Sequence, residues 1–345
     1  KGYPLTKYLQ EISRERNIKQ GVNSFLNSEF APFSLKNNTL FSEEFDDLYS
    51  SSQGAVAECD HVFIKGNKLK ERFENLEENS KFYIGEIGFG IGINFITTCM
   101  AWLSHVKQNQ VLEFYSFDKY LFRLSDFKKL NDSYPELKEY TAELELNYPR
   151  NIQGVQKIPL FDGRIILNLI VGEIDNTQKY IKLMNNVDAW YLDGFSPSKN
   201  PDLWSLKLFK NIYKSCHEDT TFSTYTSSGL VKNNLTESGF NHKRTEGFLD
   251  KRHMLRGNVV KKQKKNSLNT KVAVIGSGIA GCILSYTLAK KGIEVDLYEK
   301  SDNICSGASS HELLVTYPRL SAHDTAFGSF TLHSYIFATN FYKWL

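Results

Sequence analysis

Two glycine-rich turns, Gly88-Phe89-Gly90-Ile91-Gly92 and Gly276-Ser277-Gly278-Ile279-Ala280-Gly281, constrain most what this chain folds into. Each follows a short apolar run, KFYIGEI (81–87) and KVAVIG (271–276), and each opens a helical pattern. Glycine lets the backbone turn sharply and come close to a ligand. Amides at the start of the following helix then face an electron-rich group. A length of 345 residues accommodates two such units as separate domains.

Between the turns the chain alternates strand and helix signals. VLEFYSFD (111–118), RIILNLIVGE (164–173), DAWYLDGF (188–195) and TFSTYT (221–226) are strand candidates. Helices are expected over about 92–104, from Pro201 to about Cys216 with Asn200 as N-cap, and over about 228–237 up to Gly239. Residues 119–160 are mixed and partly helical, and 39–61 read as irregular turns or a short hairpin. FNHKRTEGF and HMLRGNVV close the series as an antiparallel pair. Such alternation predicts a parallel sheet with helices on both faces, and a late hairpin is the usual ending of methyltransferase sheets. The predicted class is α/β: a Rossmann-like class I methyltransferase domain with a mostly parallel sheet and late antiparallel hairpin, then the first βαβ part of an FAD-binding Rossmann domain. The expected domains are an N-terminal extension (1–38), the methyltransferase domain (39–260), a basic linker (261–270) and a truncated oxidoreductase domain (271–345).

An apolar fraction of 41% supports a real core, and 23% charged residues is ordinary for a globular protein. The net charge of +3 does not announce nucleic-acid binding, but nine Lys or Arg between Asn241 and Lys265 face only Glu246 and Asp250. On pattern alone this cluster fits a phosphate-binding surface and a solvated face with a charged linker equally well. The five scattered cysteines support neither a disulfide framework nor a metal site, and the expected setting is cytoplasmic. No run approaches the ~20 apolar residues of a membrane span. The first residues lack the apolar core of a signal peptide and an initiator Met, which suggests a fragment or processed product.

The first turn has G-x-G-x-G spacing with Glu86 two residues ahead of Gly88. An acid there is typical of S-adenosylmethionine sites, where it holds the amino end of the methionine. Asp118, ending the next strand, is placed for ribose hydroxyls. Asp193 follows the fourth strand in Asp193-Gly194-Phe195-Ser196-Pro197, at the strand end where open α/β sheets place their sites. A carboxylate there accepts hydrogen bonds from an amine and relays its proton. Phe195 and Pro197 are candidates to flank a planar base, with Trp204 as an apolar wall. The same pattern also fits a turn residue backed by core aromatics. The second turn is a full G-x-G-x-x-G with Glu299 ending the next strand, the context of a dinucleotide pyrophosphate and ribose.

EIGFGIGINF, VDAWYLDGFSPSKNPDLW, TFSTYTSSGLVKNNLTESGF and GFLDKRHMLRG resemble the methyltransferase half of the bifunctional tRNA enzymes that make 5-methylaminomethyl-2-thiouridine at the wobble position. KVAVIGSGIAG and GASSHELLVTYPRLSAHD resemble the start of their FAD-dependent half. The resemblance covers roughly residues 40–345. It implies methyl transfer from S-adenosylmethionine to the amine of 5-aminomethyl-2-thiouridine, after FAD-dependent removal of a carboxymethyl group by the other half. It implies Asp193 as the catalytic carboxylate. Glu86, Gly88, Phe89, Gly90, Gly92, Asn94, Asp118, Lys119 and Glu173 are expected around the donor. Gly276, Gly278, Gly281 and Glu299 are expected around FAD. Phe195, Pro197, Lys199 and Arg252 are expected at the substrate, a tRNA anticodon stem-loop. Asp118 stands where the family more often has Glu, Glu173 where Asp is usual, and Ile91 where Thr is common. A monomer without metal or membrane contact is expected, with the truncated FAD half unable to run the oxidase reaction unaided. Competing expectations are an FAD- or NAD-dependent oxidoreductase with an accessory domain, and a noncatalytic tRNA-binding module.

Overall fold

The computed structural model describes residues 28–36, 39–49, 54–107, 109–249, 251–262, 271–290, 292–320 and 325–344. Most of the expected N-terminal extension and residues 263–270 of the expected linker lie outside them.

In chain order, a small antiparallel sheet comes first: β1 (Phe33–Lys36), β2 (Thr39–Ser42) and β3 (Asp47–Leu48). Helix α1 (Ala55–Cys59) runs directly into a π-helical turn, Asp60–Lys65, and α2 (Leu69–Glu74) follows. The main series is β4 (Lys81–Ile87), α3 (Ile93–His105), β5 (Val111–Asp118), α4 (Leu124–Asn131), α5 (Lys138–Leu146), β6 (Gly154–Leu160), β7 (Ile165–Val171), the short α6 (Ile174–Thr177) and β8 (Val187–Leu192). It continues with α7 (Leu206–Ser215), β9 (Cys216–Thr224), α8 (Gly229–Ser238), β10 (Phe240–Glu246) and β11 (His253–Val259).

These strands form one sheet of eight in the order β10-β11-β9-β8-β4-β5-β7-β6. The five from β9 to β7 are parallel, β6 at one end and β11 at the other run against them, and β10 pairs antiparallel with β11. The expected parallel sheet with a late hairpin is therefore the fold. All seven residues of β7 are buried, as are all six of β8, because helices cover both faces and leave no polar side to alternate. Helices α7 and α8 start where Ser205 and Ser228 accept hydrogen bonds from Leu208 N and Val231 N, and α8 stops at Gly239 with φ +100°. Asn200 does not cap α7; Pro201 instead opens a separate 3-10 turn, Pro201–Trp204.

The chain divides into two compact units, residues 1–264 with 319–345, and residues 265–318. The smaller unit holds β12 (Lys271–Ile275), α9 (Ile279–Lys290) and β13 (Glu294–Tyr298), with the two strands parallel. Helix α10 (Ala326–Trp344), which follows it in sequence, packs within the larger unit. Leu332 and Ile336 are buried with Ile152. His333 Nε2 lies 2.8 Å from Gln153 O, and Asn340 donates to Lys157 O at 3.2 Å. The helix thus covers the β6 end of the sheet, a strand that otherwise has an open edge.

Candidate active site

In an open parallel sheet, ligands bind beyond the carboxyl ends of the strands, where the chain leaves the first strand in opposite directions. Here β4 has β5 on one side and β8 on the other. The loops after these three strands and β7 surround a cavity of about 730 Å3. Its floor is the first glycine turn. Gly88, Gly90 and Gly92 have φ of +94°, +54° and +75°, a region that costs other residues strain. At Gly88 a Cβ would sit 1.8 Å from Asp193 O, so only glycine lets the two loops meet. At Gly90 a Cβ would meet only a Tyr49 ring carbon, at 3.5 Å. A side chain there is therefore opposed by the backbone conformation and not by a protein clash.

Asp193 follows β8 into this cavity, opposite the turn. Its carboxylate accepts from Asn94 Nδ2 at 2.6 Å, and Asn94 sits in the first turn of α3. Burial pushes the Asp193 carboxyl up to about 7, against the hydrogen bond from Asn94. Glu86 lies beneath the turn with no exposure. Ser116 donates to its Oε2 at 2.5 Å, while Oε1 has no hydrogen-bond partner. Burial, with Asp193 nearby, pushes Glu86 up to about 8. Asp118 accepts from Gly90 N at 2.8 Å and Tyr120 N at 3.2 Å, so its carboxylate braces the turn. Burial also raises its pKa.

Of the residues expected from sequence, Gly88, Phe89, Gly90, Asn94, Asp118, Lys119, Glu173, Asp193 and Phe195 line this one cavity. Lys119 bridges Glu44 at 2.5 Å and Glu173 at 2.7 Å. Glu86, Gly92, Pro197, Lys199 and Arg252 lie outside the lining. Lys199 is engaged by Asp46, and Arg252 is exposed. Trp204 is not an apolar wall of the cavity. It is 1% exposed in the core, and its indole N–H holds Phe195 O at 2.8 Å, so it fixes the loop from behind.

Sequence reasoning missed the cover. Glu44, Phe45, Asp47 and Tyr49, from the small sheet, line the cavity with Glu58 of α1, Tyr225 and Lys251. Phe45 stacks on Phe195 at 4.7 Å, and Tyr49 meets the same ring edge-on at 5.0 Å. Asp47 accepts from Ser196 N at 2.7 Å. Tyr225 donates to Gly194 O at 2.8 Å. Lys251 donates to Glu58 at 2.7 Å, with its ammonium 4.2 Å from the centre of the Tyr225 ring. The only advance signal was the position of Lys251 beside Arg252 in the basic cluster.

In the smaller unit the second turn is built differently. Glu299 accepts from Ser277 N at 2.9 Å and Ser277 Oγ at 2.7 Å. Those hydrogen bonds hold its carboxyl down at about 2. Gly281 comes so near that a Cβ would sit 1.8 Å from Gly276 O, which packs α9 against the turn. At Gly278 a Cβ would meet only Ser309 Oγ, at 3.3 Å.

A parallel sheet with a terminal hairpin, and acids gathered around a glycine turn after its first strand, define the class I S-adenosylmethionine-dependent methyltransferases. Residues 135–260 match a family described as S-adenosyl-L-methionine-dependent methyltransferase, and residues 274–343 match an NAD(P)-binding Rossmann-like domain. The chain is 37% identical over 320 residues to the tRNA 5-methylaminomethyl-2-thiouridine biosynthesis bifunctional protein MnmC of a Marinomonas species, covering 88% of this chain and 47% of that protein. It is 34% identical over 341 residues to the Legionella pneumophila protein of the same name, covering 91% and 51%. The chain is thus homologous to those proteins over about nine tenths of its own length, and it spans about half the length of the curated relatives it matches. A crystal structure of MNMC2 from Aquifex aeolicus shares the fold, with a TM-score of 0.52 and 22% identity over 77% of this chain and 86% of that one. Among the described residues, no helix is long and apolar enough to cross a membrane, and no cluster of His, Cys, Asp and Glu is arranged to hold a metal ion.

Proposed function

We propose that this chain transfers a methyl group from S-adenosylmethionine to the primary amine of 5-aminomethyl-2-thiouridine at the tRNA wobble position, giving 5-methylaminomethyl-2-thiouridine. The observation that carries the reading is Asp193: a half-buried carboxylate facing the same cavity as the Gly88–Gly92 turn. The cavity fits the donor. Its volume of about 730 Å3 accommodates a nucleoside-sized ligand and an acceptor group together. We assign the donor's ammonium to Glu86, whose Oε1 is unpaired beneath the turn, and its ribose and adenine to Asp118 and Glu173 of the cavity lining. The donor supplies an electrophilic methyl group on a sulfonium.

The protein's task is to deliver a neutral nitrogen. An alkyl amine with a pKa of about 10, by analogy with Lys, enters as ammonium. It must lose a proton before its lone pair can attack. Asp193, poised near 7, accepts that N–H and, ionised, takes the proton. Asn94 fixes the carboxylate's direction at 2.6 Å. The methyltransferase domain is assigned to 39–260 and the dinucleotide segment to 271 onward, of which 319–345 packs with the larger unit. Gly276, Gly278, Gly281 and Glu299 are assigned to the FAD of a protein that, at the full length of its relatives, also removes the carboxymethyl group. Phe195 is assigned to the modified base, and Pro197, Lys199 and Arg252 to the rim that meets the anticodon stem-loop. A cytoplasmic monomer fits this role.

The test is incubation with methyl-labelled S-adenosylmethionine and tRNA carrying 5-aminomethyl-2-thiouridine, followed by nucleoside analysis. Label in 5-methylaminomethyl-2-thiouridine is the expected result. Donor binding without label in any nucleoside would overturn the reading.

A further inference from the structure

The cavity carries a marked charge imbalance. Seven carboxyl side chains line it (Glu44, Asp47, Glu58, Asp118, Glu173, Asp193 and Asp202) against two lysines. Lys119 is already held between Glu44 and Glu173. Among the described residues that line the cavity, Lys251 is the one cation on the Asp193 side, and Glu58 neutralises it at 2.7 Å. Glu58 is only 12% exposed, while Lys251 is 42% exposed. The acid is therefore fixed in the wall and the lysine is the partner free to swing outward. The Lys251 ammonium, beside Glu58 and 4.2 Å from the Tyr225 ring centre, sits where a substrate ammonium would find the same two contacts.

We propose that Glu58 selects the acceptor by charge: it admits an alkylammonium, which displaces Lys251, and rejects the same amine when it carries a carboxymethyl group. This rests on the methyltransferase reading above. An alkylammonium that displaces Lys251 takes its place as the cation between the two carboxylates Glu58 and Asp193. A carboxymethylamine brings, with its ammonium, a third carboxylate to the same wall. Rejection by like charge is a general route to specificity where the two ligands are otherwise alike. Glu58 acts here as a specificity residue, with Asp193 left to orient the nitrogen. The device would keep the methyl transfer from acting on a nucleoside whose carboxymethyl group is still in place.

The test compares two anticodon stem-loops that differ only in an aminomethyl or a carboxymethylaminomethyl group at the wobble uridine. Contacts to the RNA backbone cancel in the ratio of their dissociation constants. Wild type is expected to favour the aminomethyl RNA, and Glu58→Gln to reduce that preference about ten-fold, the scale of one charge-assisted contact. Glu58→Asp should restore most of it. Lys251→Gln, which frees Glu58, should leave the preference intact or enlarge it, an opposite sign that a merely structural pair would not give. An unchanged ratio in Glu58→Gln, or a fall in Lys251→Gln as large as that in Glu58→Gln, overturns the proposal. Methyl transfer to the aminomethyl RNA by wild type, measured alongside, reports on the underlying reading separately, and its absence removes both.

Discussion

The two glycine turns look alike in sequence and are opposite in electrostatics. Beneath the first, Glu86 has no exposure, one unpaired oxygen and a pKa pushed up to about 8. Beside the second, Glu299 is half-buried, bonded by Ser277 through both its amide and its hydroxyl, and held down at about 2. The first turn is roofed by Phe45, Tyr49 and the Asp193 loop. The second is open on that side, since a Cβ at Gly276 would meet nothing within 4 Å. A glycine motif thus specifies a backbone shape. Whether that shape has a poised acid beneath it depends on what the rest of the chain packs over it.

The largest effect expected from this contrast is at Gly88. Gly88→Val drives a side chain into Asp193 O and should reduce donor affinity by two orders of magnitude or more, on the scale of a forced core clash. Gly276→Val has no such neighbour and should cost the smaller unit only about 1–3 kcal/mol of backbone strain. Isothermal titration with the donor and thermal melts separate the two. Equal losses of donor affinity in both variants would erase the distinction.

Next in size is the response to pH. Glu86 and Asp193 have folded-state pKa values of about 8 and about 7, above the unfolded 4.5 and 3.8. Between those limits the folded state binds more protons than the unfolded one, so stability falls as pH rises from about 4 to about 8 and levels off beyond. The fall should be on the order of a few kcal/mol in the ligand-free protein. Glu86→Gln and Asp193→Asn should each flatten it. For Glu299 the sign reverses: its contribution is present above pH 4.5 and is lost as pH falls toward 2. Melts across pH 5 to 9 that are flat in wild type would show that the first acid is not poised as described.

The smallest effect is at Gly90. A Cβ at Gly90 meets its nearest atom at an ordinary 3.5 Å. Gly90→Ala should therefore weaken the donor by no more than about ten-fold, through the φ of +54° that it must adopt. A donor affinity in Gly90→Ala as low as in Gly88→Val would point to a closer roof.

What could be read from sequence was local. The β4 turn, Asp118 and Asp193 each end or follow a strand that announces itself by a short apolar run, and the right-handed crossover rule carries them to one edge of the sheet. The roof could not be read this way, because Phe45, Tyr49 and Glu58 belong to segments without periodicity and reach the site only by tertiary contact. Strand β6 was hidden for a similar reason: GVQKIPL alternates weakly, and α10, which donates from Asn340 to Lys157 O, comes to it from the far end of the chain. Lys199 and Arg252 show the limit on a finer scale. Ser196 and Lys251, a few positions away or adjacent, line the cavity, while Lys199 turns to Asp46 and Arg252 to solvent.

The central claim is that the carboxylate at position 193 acts on the nitrogen and not on the donor. Asp193→Asn keeps the shape of the side chain and removes its charge. Single-turnover methyl transfer and donor titration on the same preparation should give donor affinity within a few-fold of wild type, with transfer to the aminomethyl uridine slowed by a hundred-fold or more. Transfer at the wild-type rate in that variant would contradict the account.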